Sequence, residues 1–373
     1  MVEDVISALT QGVNVRVLGS TATAMLNRAA FSDIAALGRQ LGVRYLLEGN
    51  VRRTGANLRV TTQLLEAETG TAIWTAKFDR PLAELADLQE ELVTDIAASL
   101  DTQVYALEME RALRKPGEIT AWEALARANS AYSRFDETSL RQVIDEARRS
   151  VSISPDYAPG HALLATALAD SYFGMPDDPA EVQRIRATVG RALALAPDDI
   201  TVLGWVAHAL SIIGHPEEAV LYPARAVRKA TGAGILHFYH GEACCLLNRN
   251  EEALIHLGLA ERLLPGWNRI WALKIWQSAA FSEMGRWVEA DSAIDESISL
   301  IPTHGLNYLT KASLCPKLGR DAEAASHIET ARQLGWDLKR AERAWRRLGR
   351  VNTSIEALIA ATHGPTTPPE PAP

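Results

Sequence analysis

The sequence has little of three things: cysteine, long apolar runs and positive charge. Its 373 residues include three cysteines, Cys244, Cys245 and Cys315. Neighbouring cysteines rarely bridge, so these thiols predict neither a disulfide framework nor an oxidising compartment. No run of 18 apolar residues occurs, so no transmembrane helix is predicted. The net charge of -8 disfavours direct contact with nucleic acid, because phosphate binding needs a basic face.

The N-terminus also lacks the pattern of a secretory signal. Met1-Val-Glu-Asp-Val has no basic start followed by an apolar stretch. The sequence as written therefore predicts a cytoplasmic protein, whereas a longer parent with a membrane span would place the same module in the periplasm. The apolar fraction of 47% and the charged fraction of 23% are typical of soluble globular proteins, and 373 residues suffice for two or three domains.

What the sequence does contain is a repeated pattern between Val202 and Trp336. The residues 5, 12, 17 and 24 positions before Pro265 are Ala260, Ala253, Asn248 and Gly241. Small residues allow helices to cross closely, and Gly or Asn suits the end of a helix. The same offsets give Ala226, Ala219, Gly214 and Ala207 before Thr231; Ser297, Ala290, Gly285 and Ser278 before Pro302; and Ala331, Ala324, Gly319 and Ala312 before Trp336.

This helix–turn–helix pattern, with 34 residues between Thr231 and Pro265, resembles the tetratricopeptide repeat (TPR). Two earlier helix pairs, ending at Pro155 and Pro197, extend the array to six units, and the loop Gly174–Pro179 lengthens the second unit. The predicted all-α TPR solenoid spans residues 114–336. Residues 337–362 are predicted to form capping helices, and the Pro-rich tail 363–373 is predicted to be disordered.

Residues 1–113 predict a small α+β domain. Glycine-containing turns separate three β-rich segments, which is typical of an antiparallel meander. The predicted elements are helix Val2–Thr10, strand Val13–Val17, helix Phe31–Leu41 ending at Gly42, strands Val43–Arg53, Leu58–Leu65 and Thr71–Phe78, and a long helix from about Leu82 to Leu113 with Leu85, Leu88, Leu92, Ile96 and Leu100 on one face.

Three segments of this domain, Leu41–Arg53, Leu58–Gly70 and Ile73–Asp79, resemble the TolB-N-terminal/FlgO-like domain. The resemblance implies a bacterial regulator, because that domain commonly precedes TPR arrays in proteins that resemble class III adenylate cyclases or CadC-like winged-helix transcription factors. In both groups the effector domain lies upstream. The family domain opens with a strand and a Gly-rich turn that this sequence does not show. We therefore expect an unpaired sheet edge, and an N-terminal domain that is weaker than the repeats or pairs in trans.

The sequence predicts no catalytic site, no cofactor and no metal site. A class III cyclase needs paired aspartate metal ligands on a larger α+β fold, and a winged-helix protein needs a basic recognition helix. Neither pattern occurs in this sequence. The arginines 340, 343, 346, 347 and 350 predict a solvated face of a capping helix, with docking to an acidic partner or nucleic acid as the alternative.

Other chemically active residues are predicted to be structural. His237, His240 and Cys244 share one helix face, which suits core packing and, as the alternative, a soft metal. Cys244 and Cys245 show no basic neighbour that would lower a thiol pKa for redox chemistry. Trp267, Trp271, Trp276 and Trp287 are predicted to fill the core, with an aromatic lip for a ligand as the alternative.

The predicted binding site is the concave groove of the repeats. The first helix of a TPR presents its positions 2, 5, 9 and 12 to that groove. TPRs that bind chaperone tails carry Lys, Asn and Arg there, whereas this groove is neutral and partly apolar, so an amphipathic helix or an apolar peptide is the predicted partner. The predicted groove residues are Thr201, Gly204, His208, Ser211, Ile235, Phe238, Glu242, Cys245, Ala272, Ile275, Ala279 and Ser282.

The sequence thus supports a non-catalytic regulatory or sensory module that binds a protein or peptide and serves an effector in cis or in trans. Two alternatives remain: the regulatory part of a class III adenylate cyclase or of a winged-helix regulator, and a free-standing assembly factor. Neither the ligand nor the effector follows from the sequence.

Overall fold

The computed structural model describes residues 3–6, 17–19, 33–81, 119–228, 233–264 and 266–349, together with positions 93, 96, 100, 104, 107, 355, 356, 358 and 359. The chain divides into two compact units, Met1–Glu108 and Met109–Pro373. Within the described ranges, no helix is both long and apolar enough to cross a membrane. The predicted domain boundary at 113/114 and the tail 363–373 lie outside the described residues.

The first unit contains the predicted antiparallel sheet. Helix α1, Ile34–Leu41, begins where the Asp33 carboxylate accepts hydrogen bonds from two backbone amides and ends at Gly42, whose φ of 64° suits glycine. Strands β1 (Tyr45–Thr54), β2 (Asn57–Glu66) and β3 (Ala72–Pro81) follow, in the order β1-β2-β3 with antiparallel pairing. Gly55 and Gly70 turn the chain between them.

A helical face covers this sheet. Val60 and Leu64 on β2 are buried against helical residues 96 and 100, and Val93 and Val104 belong to the same core. These described positions are helical and have the spacing of one helix face, which agrees with the prediction for Ile96 and Leu100. The predicted helix positions Leu85, Leu88 and Leu92 lie outside the described residues, as does the predicted strand 13–17 except for Val17.

The described residues of the second unit form six helix pairs, as the repeat pattern predicts. The pairs are α2 (Ala121–Tyr132) with α3 (Glu137–Ile153); α4 (Ala158–Tyr172) with α5 (Pro179–Leu195); α6 (Ile200–Ile212) with α7 (Pro216–Ala219) and α8 (Leu221–Val227); α9 (Gly234–Leu246) with α10 (Asn250–Leu263); α11 (Ile270–Glu283) with α12 (Trp287–Leu300); and α13 (Gly305–Leu314), extended by a 3₁₀ turn, with α14 (Asp321–Gln333).

The predicted turn positions take the predicted conformation. Gly214, Asn248, Gly285 and Gly319 all have positive φ, so each ends a helix where the sequence pattern places a Gly or Asn. The small residues of the pattern are buried at the helix crossings, except for Ala324, which is half-buried. A Cβ on Gly241 would lie 2.7 Å from Leu257 Cγ, which shows how closely α9 and α10 approach.

The third pair departs from the pattern. Its second helix is divided at Val220 into α7 and α8, three residues before Pro223. A proline inside a helix removes one backbone donor and clashes with the preceding turn, which accounts for the break.

The C-terminal helix α15, Leu338–Arg347, is placed differently from a polar end cap. It contacts the loop that lengthens the second repeat, about 170 residues earlier in the chain. Arg343 Nε donates to the Gly174 carbonyl at 2.9 Å, and Arg347 donates to the Tyr172 and Met175 carbonyls at 2.9 and 2.8 Å. The backbone of Arg347 also passes close to Gly214, where a Cβ would lie 3.0 Å from its carbonyl oxygen.

Candidate functional site on the inner face of the repeats

The first helices of the repeats surround a cavity of about 120 Å³ that opens towards solvent. Its wall is largely aromatic and aliphatic, with Phe135, Phe173, Trp271, Trp276 and Ile275 among the lining residues. An apolar wall with a few polar groups is typical of binding sites. The cavity is therefore the candidate functional site of the second unit.

Four successive inner helices each contribute one polar group to a buried chain of hydrogen bonds. The Tyr132 hydroxyl donates to Asp170, and His208 lies between two carboxylates. His208 Nε2 is 3.1 Å from Asp170 Oδ1, and its Nδ1 is 2.8 Å from both oxygens of Glu242. Ionised carboxylates only accept hydrogen bonds, so both ring nitrogens of His208 donate and the imidazole is a cation.

The electrostatics of His208 agree with this geometry. Burial by itself lowers the pKa of His208, but the Glu242 and Asp170 carboxylates outweigh it and raise the pKa to about 9. The residue is 5% exposed, so the charge is held away from water. A buried charge is stable only when paired, and here one cation is held between two anions.

Arg269 supplies the second buried cation and is 3% exposed. Its guanidinium carbon lies 3.9 Å from the centroid of the Tyr132 ring, and Nη1 is 3.5 Å from the Tyr239 hydroxyl. Burial opposes its charge, yet the nearby tyrosines and Asp170 raise the pKa of Arg269 above its usual value. Two carboxylates and two cations therefore face one another, and the buried charge at this site balances.

An aromatic cluster continues the wall towards the sixth pair. The Phe135 ring lies 4.9 Å from Trp271 and 5.3 Å from His304, measured between centroids. Phe135 has a φ of 46°, which is uncommon for a bulky residue, so the first repeat reaches the fifth and sixth through a strained turn.

The protonation of His304 follows from its neighbours. The Ser297 hydroxyl donates to the Trp271 carbonyl and accepts from the Asn307 amide nitrogen. Asn307 Oδ1 therefore faces His304 Nδ1 at 2.8 Å and accepts a hydrogen bond from its N–H group. Burial lowers the pKa of His304 to about 4, which keeps the ring neutral. Among the described residues, the buried atoms His304 Nε2, Trp271 Nε1 and Arg269 Nε have no hydrogen-bond partner.

The C-terminal segment closes one side of the cavity. Trp345, Leu348 and Ile355 line it together with the inner helices. The Arg347 side chain is 7% exposed and pairs with Asp177 at 2.7 Å, so the prediction of a wholly solvated arginine face is wrong for this residue. Arg346, on the other side of α15, is exposed and pairs only with Glu342 among the described contacts. Arg350 lies outside the described residues.

The structure divides the predicted groove residues into two groups. Six line the cavity: His208, Glu242, Ala272, Ile275, Ala279 and Ser282. Phe238 and Cys245 are instead wholly buried, because Phe238 packs edge-on against Trp267 and the Cys245 thiol donates to the Trp276 carbonyl. The remaining predictions are outside the cavity lining: Ser211 and Gly204 are buried, and Thr201 and Ile235 are half-buried.

Several residues of the site were missed by the sequence prediction, chiefly Asp170, Arg269 and His304. A signal was available for Asp170, which is a lone acid in the otherwise apolar stretch Ala165-Thr-Ala-Leu-Ala-Asp. Arg269 and His304 lie just before the inner helices α11 and α13, outside the positions that the TPR pattern assigns to the groove.

The tryptophans singled out from the sequence also divide into those that line the cavity and those that do not. Trp271 and Trp276 line the cavity, whereas Trp267 packs on Phe238 and Trp287 lies in a separate cluster beside Lys317. Burial raises the pKa of Cys244 to about 12, which leaves the thiol protonated. In the described part of the chain, two groups have metal-ligating atoms within 4.8 Å of one another: His240 with Glu252 and His256, and Cys315 with Glu323 and His327.

No family model matches the chain. It is 30% identical over 164 residues to a Rhizobium meliloti (strain 1021) protein named "Putative adenylate cyclase 3", a match that covers 44% of this chain and 28% of that protein. The chain therefore spans little more than a quarter of the length of that relative.

Two solved structures with low scores are TPR proteins. TTC0263 of Thermus thermophilus is 21% identical, with a TM-score of 0.39 over 45% of this chain and 91% of its own. YrrB, described as a TPR protein with an unusual peptide-binding site, is 17% identical, with a TM-score of 0.33 over 54% of this chain and 97% of its own. Scores below 0.5 carry no structural argument, so the repeat architecture rests on the helix pairs themselves.

Proposed function

We propose that the chain is a non-catalytic regulatory module whose inner face binds an amphipathic helix or peptide of a partner protein. One observation carries the proposal: the inner face already holds a helix, the chain's own α15. Trp345 faces the cavity, while Arg343 and Arg347 bind carbonyls of the loop after α4. A groove that binds one amphipathic helix has the shape and the polar anchors to bind another.

In this proposal α15 is an internal competitor. A partner helix with an aromatic or aliphatic face and a basic residue would take the place of α15, and its binding energy would need to exceed that of the tethered helix. Because an intramolecular ligand has a high effective concentration, only a partner with a better match to the cavity would displace it. Exchange of the two helices would change the position of the C-terminus and so report the bound state.

The similarity to a putative adenylate cyclase supports a cyclase as the effector. The shared part covers less than half of this chain, and no described residue is assigned a catalytic role, so the proposal concerns regulation of the cyclase and not its chemistry. The TolB-like assignment of the first unit and the winged-helix alternative remain predictions. Translation of the upstream DNA tests which effector the module serves. A reading frame that encodes a cyclase catalytic domain supports a cyclase, and one that encodes a basic helix-turn-helix supports a winged-helix regulator.

The binding site is tested with a fluorescent peptide of residues 337–349, added to the full chain. Arg347→Ala removes the bonds to Tyr172, Met175 and Asp177, so we expect α15 to be released and the peptide to bind saturably. Arg346→Ala is the matched control, because it removes a similar charge from the exposed side of the same helix. Wild type and the control are expected to bind the peptide at least about tenfold more weakly.

A second substitution locates the peptide. Ile275→Glu places a charge in the cavity wall and should abolish peptide binding in the Arg347→Ala background. Equal peptide binding by wild type, Arg347→Ala and Arg346→Ala would contradict the proposal, as would binding that persists with Ile275→Glu.

A further inference from the structure

Four ligand-type side chains meet between α9 and α10, within the fourth helix pair. His237 and His240 are three residues apart on α9, and Glu252 and His256 are four residues apart on α10. Each spacing places its two side chains on the same face of its helix. The close approach of the two helices at Gly241 then brings the four side chains together.

The distances join three of these side chains into one cluster. Ligand atoms of His240, Glu252 and His256 all lie within 4.8 Å of one another. His240 Nε2 is 3.6 Å from Glu252 Oε1, and the rings of His240 and His256 stack with centroids 4.1 Å apart. His237 is the neighbour of the cluster, because its Nδ1 is 2.8 Å from Nδ1 of His256.

His240 is the most buried member of the cluster. His240 is 7% exposed, and its Nδ1 has no hydrogen-bond partner among the described residues. A buried nitrogen without a partner is uncommon in proteins, and an ion bound in its neighbourhood is one explanation for it.

We propose that His240, Glu252 and His256 bind one divalent transition-metal ion of the zinc class, with His237 as a positioning residue that orients the His256 ring. Two imidazoles and one carboxylate are a ligand set that zinc accepts, whereas calcium and magnesium prefer oxygen ligands alone. A metal–nitrogen bond of about 2.0 Å places neighbouring tetrahedral ligands about 3.3 Å apart. The His240 and His256 rings are stacked with an interplanar angle of 14°, so one ring must turn out of the stack before a nitrogen of each can face the same ion.

The neighbouring groups leave room for this role. The Glu252 oxygen Oε2 pairs with Arg249 at 2.7 Å, while its other oxygen, Oε1, faces His240. Glu252 and His256 are half-buried, so an ion can reach the cluster from solvent. The site is separate from the inner cavity and goes beyond the proposed function.

The sixth helix pair contains a natural counterpart. Cys315, Glu323 and His327 lie 71 residues after Cys244, Glu252 and His256, and their ligand atoms are also close together. Both clusters have an arginine beside them, Arg249 in the fourth pair and Arg320 in the sixth. The sixth pair also has Lys311 at the position equivalent to His240, paired with Asp291 and Asp295 at 2.6 Å. This additional positive charge opposes a cation, so we expect the sixth pair to bind metal more weakly.

The test is a titration of the full, chelator-treated chain with Zn²⁺ by calorimetry, and with Co²⁺ followed by visible absorption. We expect one ion per chain at the site. His240→Gln and His256→Gln should each weaken its binding at least about tenfold, and His237→Phe about 10- to 100-fold, as is usual when a group that orients a metal ligand is lost. His327→Gln, the same change at the equivalent position of the sixth pair, should leave the affinity unchanged.

Circular dichroism of each variant shows whether the helices are retained, and half-buried His256 is the safer of the two ligand positions to change. Zinc affinity that is unaltered in folded His256→Gln, or that falls equally in His327→Gln, would overturn the proposal. The absence of a cobalt d–d band in the wild-type protein would overturn it as well.

Discussion

The space between paired helices and the inner face of the array are both buried, but their residues differ in kind. Between the helices, small and aliphatic residues such as Ala253, Leu257 and Ala260 are wholly buried. On the inner face the buried residues include two carboxylates and two cations, centred on His208 and Arg269.

This difference separates the residues that any repeat array needs for stacking from the residues that are specific to this protein. Stacking needs only close crossings and apolar area. A buried charge cluster adds no more stability than well-packed apolar residues would, because desolvation offsets most of the attraction between the charges. The charge cluster of the inner face therefore suits specific shape and specific binding, whereas apolar packing within the helix pairs provides the stability.

The largest expected effect comes from breaking the charge balance. Glu242→Leu leaves the His208 cation with one carboxylate and should lower the free energy of unfolding by about 3–5 kcal/mol. Urea denaturation measures the change. Glu289→Leu, which breaks the exposed pair with Arg286, is the control and should cost far less stability than Glu242→Leu, because solvent screens an exposed pair.

The double variant His208→Leu/Glu242→Leu sharpens the same comparison. It removes one charge of each sign and should be more stable than Glu242→Leu alone. A double variant as unstable as the sum of its single substitutions would show that the two side chains are not coupled.

The second prediction concerns how the free energy of unfolding depends on pH. His208 faces Asp170 and Glu242, and its pKa of about 9 in the folded chain lies above the value of 6.5 expected when unfolded. The group therefore stabilises the fold fully below pH 6.5, and the contribution is lost as pH rises through 9. The free energy of unfolding should fall by about 3 kcal/mol over that range. His208→Gln should remove this slope, and a slope that persists in the variant would assign it to another group.

The smallest effect tests the helix crossings. Gly241→Ala places a Cβ 2.7 Å from Leu257 Cγ and 3.1 Å from the Ala253 carbonyl, so it should cost about 1–3 kcal/mol. Gly258, on the exposed side of α10, has nothing within 4 Å of an added Cβ, and Gly258→Ala should stabilise by about 0.5–1 kcal/mol. Thermal unfolding measures the change in stability of both variants. If both substitutions stabilised the chain, α9 and α10 would not approach each other as closely at Gly241 as the structure indicates.

The fold was easier to predict than the candidate binding site, because the sequence patterns that indicate helices and turns are local. The Gly and Asn positions at 214, 248, 285 and 319 end helices within one turn, so a short window of sequence predicts them. Of the groove predictions, His208, Glu242 and Ile275 line the cavity, because one register serves all the inner helices. Phe238 and Cys245 are in the same register, yet the approach of neighbouring repeats buries them.

The helix pairs, the three-stranded meander and the close crossings could be predicted from sequence, because each depends on periods and turn residues only a few positions apart. Three long-range features could not: α15 crosses to the loop after α4, Phe135 of the first repeat meets Trp271 of the fifth, and one polar side chain from each of four inner helices forms a hydrogen-bonded chain. These contacts depend on small rotations between successive pairs that accumulate along the array, and no single repeat of the sequence encodes their sum.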